Sequence, residues 1–107
     1  MSQDEVTLLS ADINIAASGD NTVIAAVAGK TITVYKMWFV AAGANNVIFK
    51  NGATAINAGV VTFTGSGSSL FFAFDGKAYL GTNAGNAFVV NTSTTAQLSG
   101  RVYYALR

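Results

Sequence analysis

Short apolar runs with an alternating pattern recur along the whole chain, separated by clusters of Gly, Asn, Asp and Ser. The clearest lies near the C-terminus. Leu98, Gly100, Val102, Tyr104 and Leu106 fall on one side, while Gln97, Ser99, Arg101, Tyr103 and Arg107 fall on the other, joined by Ala105. Leu70, Phe72 and Phe74 share a face in the same way. A period of two marks a strand with one face in a core and one in water. The pattern predicts strands over 6–17, 21–28, 30–42, 46–50, 60–64, 68–74, 77–80, 87–91 and 97–106. Eight or nine strands at roughly ten-residue spacing predict an all-β fold, an antiparallel β-sandwich of jelly-roll-like kind. The Ala-rich stretch 25–28 has β-branched neighbours, which argue against a helix there.

The turn chemistry agrees. Asn51-Gly52 and Asp75-Gly76 are strong hairpin signals, and Ser18-Gly19-Asp20-Asn21, Gly65-Ser66-Gly67 and Gly81 to Gly85 are further turns. Nothing reads as a linker. The expected organisation is an N-terminal arm over 1–10 and a single sandwich domain over 11–107.

One segment departs from simple alternation. From Val34 onward both faces are apolar: Val34, Trp38 and Val40 with Lys36 on one, Tyr35, Met37, Phe39 and Ala41 on the other. A strand apolar on both faces is covered on both. Either a neighbouring chain or a loop covers this one, or a β-bulge switches its register midway.

Composition sharpens this reading. Hydrophobic residues make up 51% of the 107 and charged residues only 10%, where about 25% charged is ordinary. Part of the surface is then built from Ser, Thr, Asn and Gly, or is buried by a partner. At 11.0 kDa, burial of about 10,000 Å² on folding, about 60% of it apolar, contributes roughly 155 kcal/mol. Ordering the chain costs roughly 160 kcal/mol. The monomer is marginal in this balance, and burial against a partner would help it.

The net charge is +1, and the six basic residues are scattered. Nucleic-acid recognition needs them clustered, so no nucleic-acid partner is expected. No run reaches the ~18 apolar residues of a membrane span, so no membrane partner is expected either. The first residues, Met1-Ser2-Gln3-Asp4-Glu5, are acidic and polar, unlike a secretory signal. The expectation is a protein made in a cytoplasm and not exported by that route.

There is no His and no Cys, which removes the common acid–base and nucleophile arrangements and any thiolate metal site. The acids are Asp4, Glu5, Asp12, Asp20 and Asp75, set apart in a tail, a strand and two turns. No converging carboxylate pair is expected, and therefore no enzyme, no metal and no cofactor. Gly65-Ser66-Gly67-Ser68-Ser69 has the composition of a phosphate loop but lacks its lysine and following helix. Exposed aromatics, Trp38 and Tyr103 foremost, are candidates for stacking on sugars.

Several segments resemble small structural proteins of tailed bacteriophages. They are Gly29-Lys30-Thr31-Ile32-Thr33-Val34-Tyr35, Phe49 to Gly52, Asn83 to Asn91, and Gln97 to Tyr104, together spanning roughly residues 29–104. The resemblance implies a capsid decoration, or cement, protein of the virion. Such a protein oligomerises, with a trimer favoured, and stabilises the major capsid shell. A tail, fibre or baseplate module and a carbohydrate-binding sandwich are the alternatives. The candidate interface residues are Val6, Leu8, Tyr35, Met37, Trp38, Phe39 and Tyr103, drawn from the N-terminal arm, the doubly apolar strand and the last strand.

Overall fold

The computed structural model describes residues 8–56, 61–73 and 80–107, with 71–73 described as backbone only. The strands are β1 Leu9–Ile15, β2 Gly19–Ile24, β3 Ile32–Ala41, β4 Asn45–Asn51, β5 Thr54–Ala55, β6 Val61–Phe63, β7 Ser69–Ala73, β8 Leu80–Gly81, β9 Phe88–Thr92 and β10 Leu98–Leu106. Nine of them overlap the expected segments. The tenth, β5, is the short return of the Asn51-Gly52 hairpin, where Gly52 takes a φ of 61°. The Asp75-Gly76 turn and Val6 lie outside the described residues. Leu9 and Ser10, expected in an arm, belong to β1. Residues 25–28 are an exposed loop closed by Lys30 N–H donating to Val27 O at 3.0 Å, not a continuation of β2.

Two antiparallel sheets pack face to face. The first has the order β1-β10-β3-β7 with β8 beside β3, and the second β2-β9-β4-β5 with β6 beside β4. The chain crosses between sheets from β1 to β2, β2 to β3, β3 to β4, β6 to β7, β8 to β9 and β9 to β10. This is a β-sandwich with jelly-roll-like wrapping, as the alternation predicts. The first and last strands pair along their length, from Leu9 opposite Tyr104 to Ile15 opposite Leu98.

The doubly apolar segment resolves into a bulge. Opposite β10, Tyr103 pairs with Lys36 and Tyr104 with Val34, so Tyr35 is the extra residue on β3. The insertion switches which parity points inward. Ile32 and Val34 are buried before it, and Met37, Phe39 and Ala41 after it. Lys36, Trp38 and Val40 stay outside. The twist at the bulge also changes the end of β10, where Ala105, expected in water, is buried, and Tyr104 and Leu106 are half-buried.

Aromatic rings join the sheets. Phe39 of the first sheet packs edge-on to Phe49 and Phe63 of the second, with centroids 6.2 and 5.3 Å apart, and Phe49 stacks on Phe88 at 6.1 Å. Gly100 sits directly opposite Phe39. A Cβ there would lie 2.0 Å from the Trp38 carbonyl oxygen and 2.6 Å from Phe39 Cα. The glycine in this strand is the gap that lets the two backbones approach.

Buried polar side chains tie the connections down. Asn45 Oδ1 accepts from the N–H groups of Ser93 and Thr94 at 3.0 and 3.2 Å, and its Nδ2 donates to Ala96 O at 3.2 Å. Thr92 Oγ1 donates to Ala17 O at 2.9 Å, and Thr82 Oγ1 accepts from Ile32 N–H at 3.1 Å. These side chains serve backbone groups of the connections, and the Ser93 N–H is shared with Asn46 O at 3.1 Å.

Candidate functional site

The expected interface residues divide into three groups. Met37 and Phe39 are 0% and 1% exposed and form the middle of the core. They are corrected from interface to core, because the Tyr35 bulge turns their parity inward. Tyr35 and Tyr103 are half-buried and already carry cations. Lys36 Nζ lies 4.7 Å from the centre of the Tyr103 ring, and the Arg107 guanidinium lies 5.9 Å from that of Tyr35 while donating to its hydroxyl. Leu8 and Trp38 are open to solvent, at 42% and 43%. Leu9, beside Leu8 and equally exposed, was not singled out by the sequence. Its place on an edge strand, which only pairing reveals, is what makes it count.

Two surfaces follow. The first is the free edge of β1. This strand ends the first sheet, so its outward N–H and C=O groups have no ladder partner among the described residues. Leu8 and Leu9 stand at its start. An edge of this kind is a template for another strand.

The second is the outer face of the first sheet. Asp12, Arg101 and Trp38 form one row across β1, β10 and β3, and Asn14, Ser99 and Val40 form the next. Arg101 Nη2 donates to Asp12 Oδ1 at 2.9 Å. Gln97 Nε2 donates to Asn14 Oδ1 at 2.7 Å and to Ser99 Oγ at 3.3 Å. The Asp12–Arg101 and Asn14–Ser99 rows are thus neutral in sum and linked by their own hydrogen bonds, Lys36 lies over Tyr103 in the row beyond, and Trp38 and Val40 supply the apolar part.

The second sheet has a smaller charged cluster on its outer side. Lys50 Nζ lies 3.0 Å from both Asp20 oxygens, and Asn91 Nδ2 donates to Asp20 Oδ1 at 2.7 Å. The Asn91 hydrogen bond, then the Lys50 contact, hold the Asp20 carboxyl below its ordinary pKa. Asp12 and Asp20 therefore sit in different sheets, each beside its own cation. Asp4, Glu5 and Asp75 lie outside the described residues. The backbone of the Gly65–Ser69 turn is engaged in the fold, with Gly67 N–H donating to Ala41 O at 2.9 Å.

The fold and these surfaces define an all-β sandwich with an open β1 edge and an aromatic–polar outer face on the first sheet. No protein-family model, no curated protein and no solved structure matches the chain.

Proposed function

We propose that this chain is a structural protein of a tailed-phage virion, a capsid decoration (cement) protein that binds copies of itself, as a trimer, and stabilises the major capsid shell. The observation that carries the reading is the β1 edge. Along the seven residues Leu9–Ile15, alternate N–H and C=O groups point away from β10, with Leu8 and Leu9 exposed at the start. A strand from a neighbour laid along it gains main-chain hydrogen bonds and covers both leucines. Several copies then engage a shell together, which multiplies weak contacts into tight attachment. The resemblance over residues 29–104 supports the virion setting, and so does a surface with few charges.

Light scattering on the purified protein tests the assembly, and co-sedimentation with capsid shells tests the partner. The expected result is a trimer that pellets with shells. Leu9→Glu, which places a charge at the edge, should yield a folded monomer that no longer pellets. A wild-type monomer that ignores shells sinks the proposal.

A further inference from the structure

The outer side of the first sheet carries Tyr35, Trp38 and Tyr103, and the register places Phe71 of β7 opposite Trp38. The two tyrosines are occupied by Arg107 and Lys36. Trp38 differs from them. It is 43% exposed and carries neither of these cations. Its register neighbour on β10, Arg101, turns toward Asp12 instead.

We propose that this face, bounded by Lys36 and by Phe71 of β7, binds a neutral glycan, with one pyranose ring stacked on Trp38 and the adjoining sugar hydroxyls bonded to Arg101, Asp12, Ser99 and Asn14. The spacing fits. Neighbouring strands lie about 4.8 Å apart, so the polar groups of β10 and β1 stand roughly 5 and 10 Å from the indole. Those are the distances to the edge of a stacked sugar and to the next ring along. The polar groups are both donors and acceptors, held in place by their own hydrogen bonds before any ligand arrives, which lowers the ordering cost of binding.

Other occupants fit less well. Among the described side chains of this face, the exposed apolar part, Trp38 and Val40, is on the order of 150 Å², against about 800 Å² per partner in a stable protein interface. A protein docked here would also strip water from the Asp12–Arg101 pair, which is costly. A polyanion finds Arg101 already neutralised by Asp12 and only Lys36, set over Tyr103, beside it. A sugar needs neither a large apolar area nor a net charge. The site uses the face of the sheet, while the proposed assembly uses the β1 edge, so each can fail without the other.

Trp38 is the chain's one tryptophan, so intrinsic fluorescence reads this face directly. The full chain is titrated with cellohexaose, chitohexaose, xylohexaose, mannohexaose and maltohexaose, with acrylamide quenching measured at saturation. At least one hexasaccharide should shift the emission to the blue and reduce quenching at least twofold. Trp38→Ala, read by calorimetry, should weaken that binding tenfold or more while the circular dichroism and urea midpoint are kept. Asn14→Ala should weaken it several-fold, and Leu9→Glu should leave it unchanged. No response to any of the five sugars overturns the proposal. So does binding that survives Trp38→Ala, or an indole already shielded in the ligand-free oligomer.

Discussion

Gly100 and Asn45 each do something that no other side chain can do at their positions. A methyl group at residue 100 meets backbone atoms at 2.0 and 2.6 Å, and backbone cannot step aside as a flexible side chain can. Gly100→Ala should therefore cost roughly 3–5 kcal/mol, at the severe end for one substitution, as read from urea unfolding. A change within 1 kcal/mol would show that β10 and β3 do not approach as described. Asn45 is buried and serves two backbone N–H groups and one C=O of the 93–96 connection. Asn45→Ala leaves the Thr94 N–H and the Ala96 C=O unserved, while the Ser93 N–H keeps its bond to Asn46 O, and each such loss costs about 1–3 kcal/mol unless water enters. A total of roughly 2–4 kcal/mol is expected, together with faster hydrogen exchange at the Thr94 amide. Normal exchange there would mean that Asn45 is not the clamp.

At the scale of elements, β3 carries the decision between core and surface. The Tyr35 bulge puts Met37 and Phe39 inside and Trp38 outside. Met37→Lys should unfold the protein or cost more than about 3 kcal/mol, because it buries a charge with no partner. Trp38→Lys should change stability by less than about 1 kcal/mol. The reverse order in thermal melts would place the bulge elsewhere. This strand also shows what was legible beforehand. Strand positions, turns and the sandwich class follow from local alternation and Gly–Asn–Asp chemistry, which act within a few residues. Which face of residues 34–41 is buried depends on one unpaired residue and a strand more than sixty positions away, so a bulge, a covering loop and a covering partner were all open from the sequence. The site was legible in part for the same reason. Trp38 and Leu8 stand out as apolar residues in exposed contexts, but the cations over Tyr35 and Tyr103 come from Arg107 and Lys36 through pairing. The polar strip beside Trp38 exists only because β1 returns to β10.

At the scale of the whole molecule, the chain closes on itself: the ion pair of Asp12 and Arg101 joins residues 89 positions apart. Such non-local pairing places folding in the millisecond-to-second range. With β10 between β1 and β3, loss of 98–107 removes an interior strand and should abolish cooperative unfolding. Stability against pH follows from what the chain lacks as much as from what it holds. With no His, no side chain of ordinary pKa titrates between about 5 and 8, so the urea midpoint should be flat there. The acid limb includes Asp20, whose carboxyl is held below its ordinary value first by Asn91 and then by Lys50. A depressed pKa in the fold means that this contribution is complete above the unfolded value. It is lost as pH falls below about 4 and through the folded value, because the folded state must then take up a proton it resists. Asp20 is exposed, so the effect is small and salt-sensitive. Asp20→Asn should flatten part of the decline between pH 4 and 2 while moving the midpoint at pH 7 little. A steeper acid decline in that variant, or a carboxyl carbon signal of Asp20 that titrates above the ordinary aspartate range, would show that the Asn91 and Lys50 contacts do not hold the ionised form.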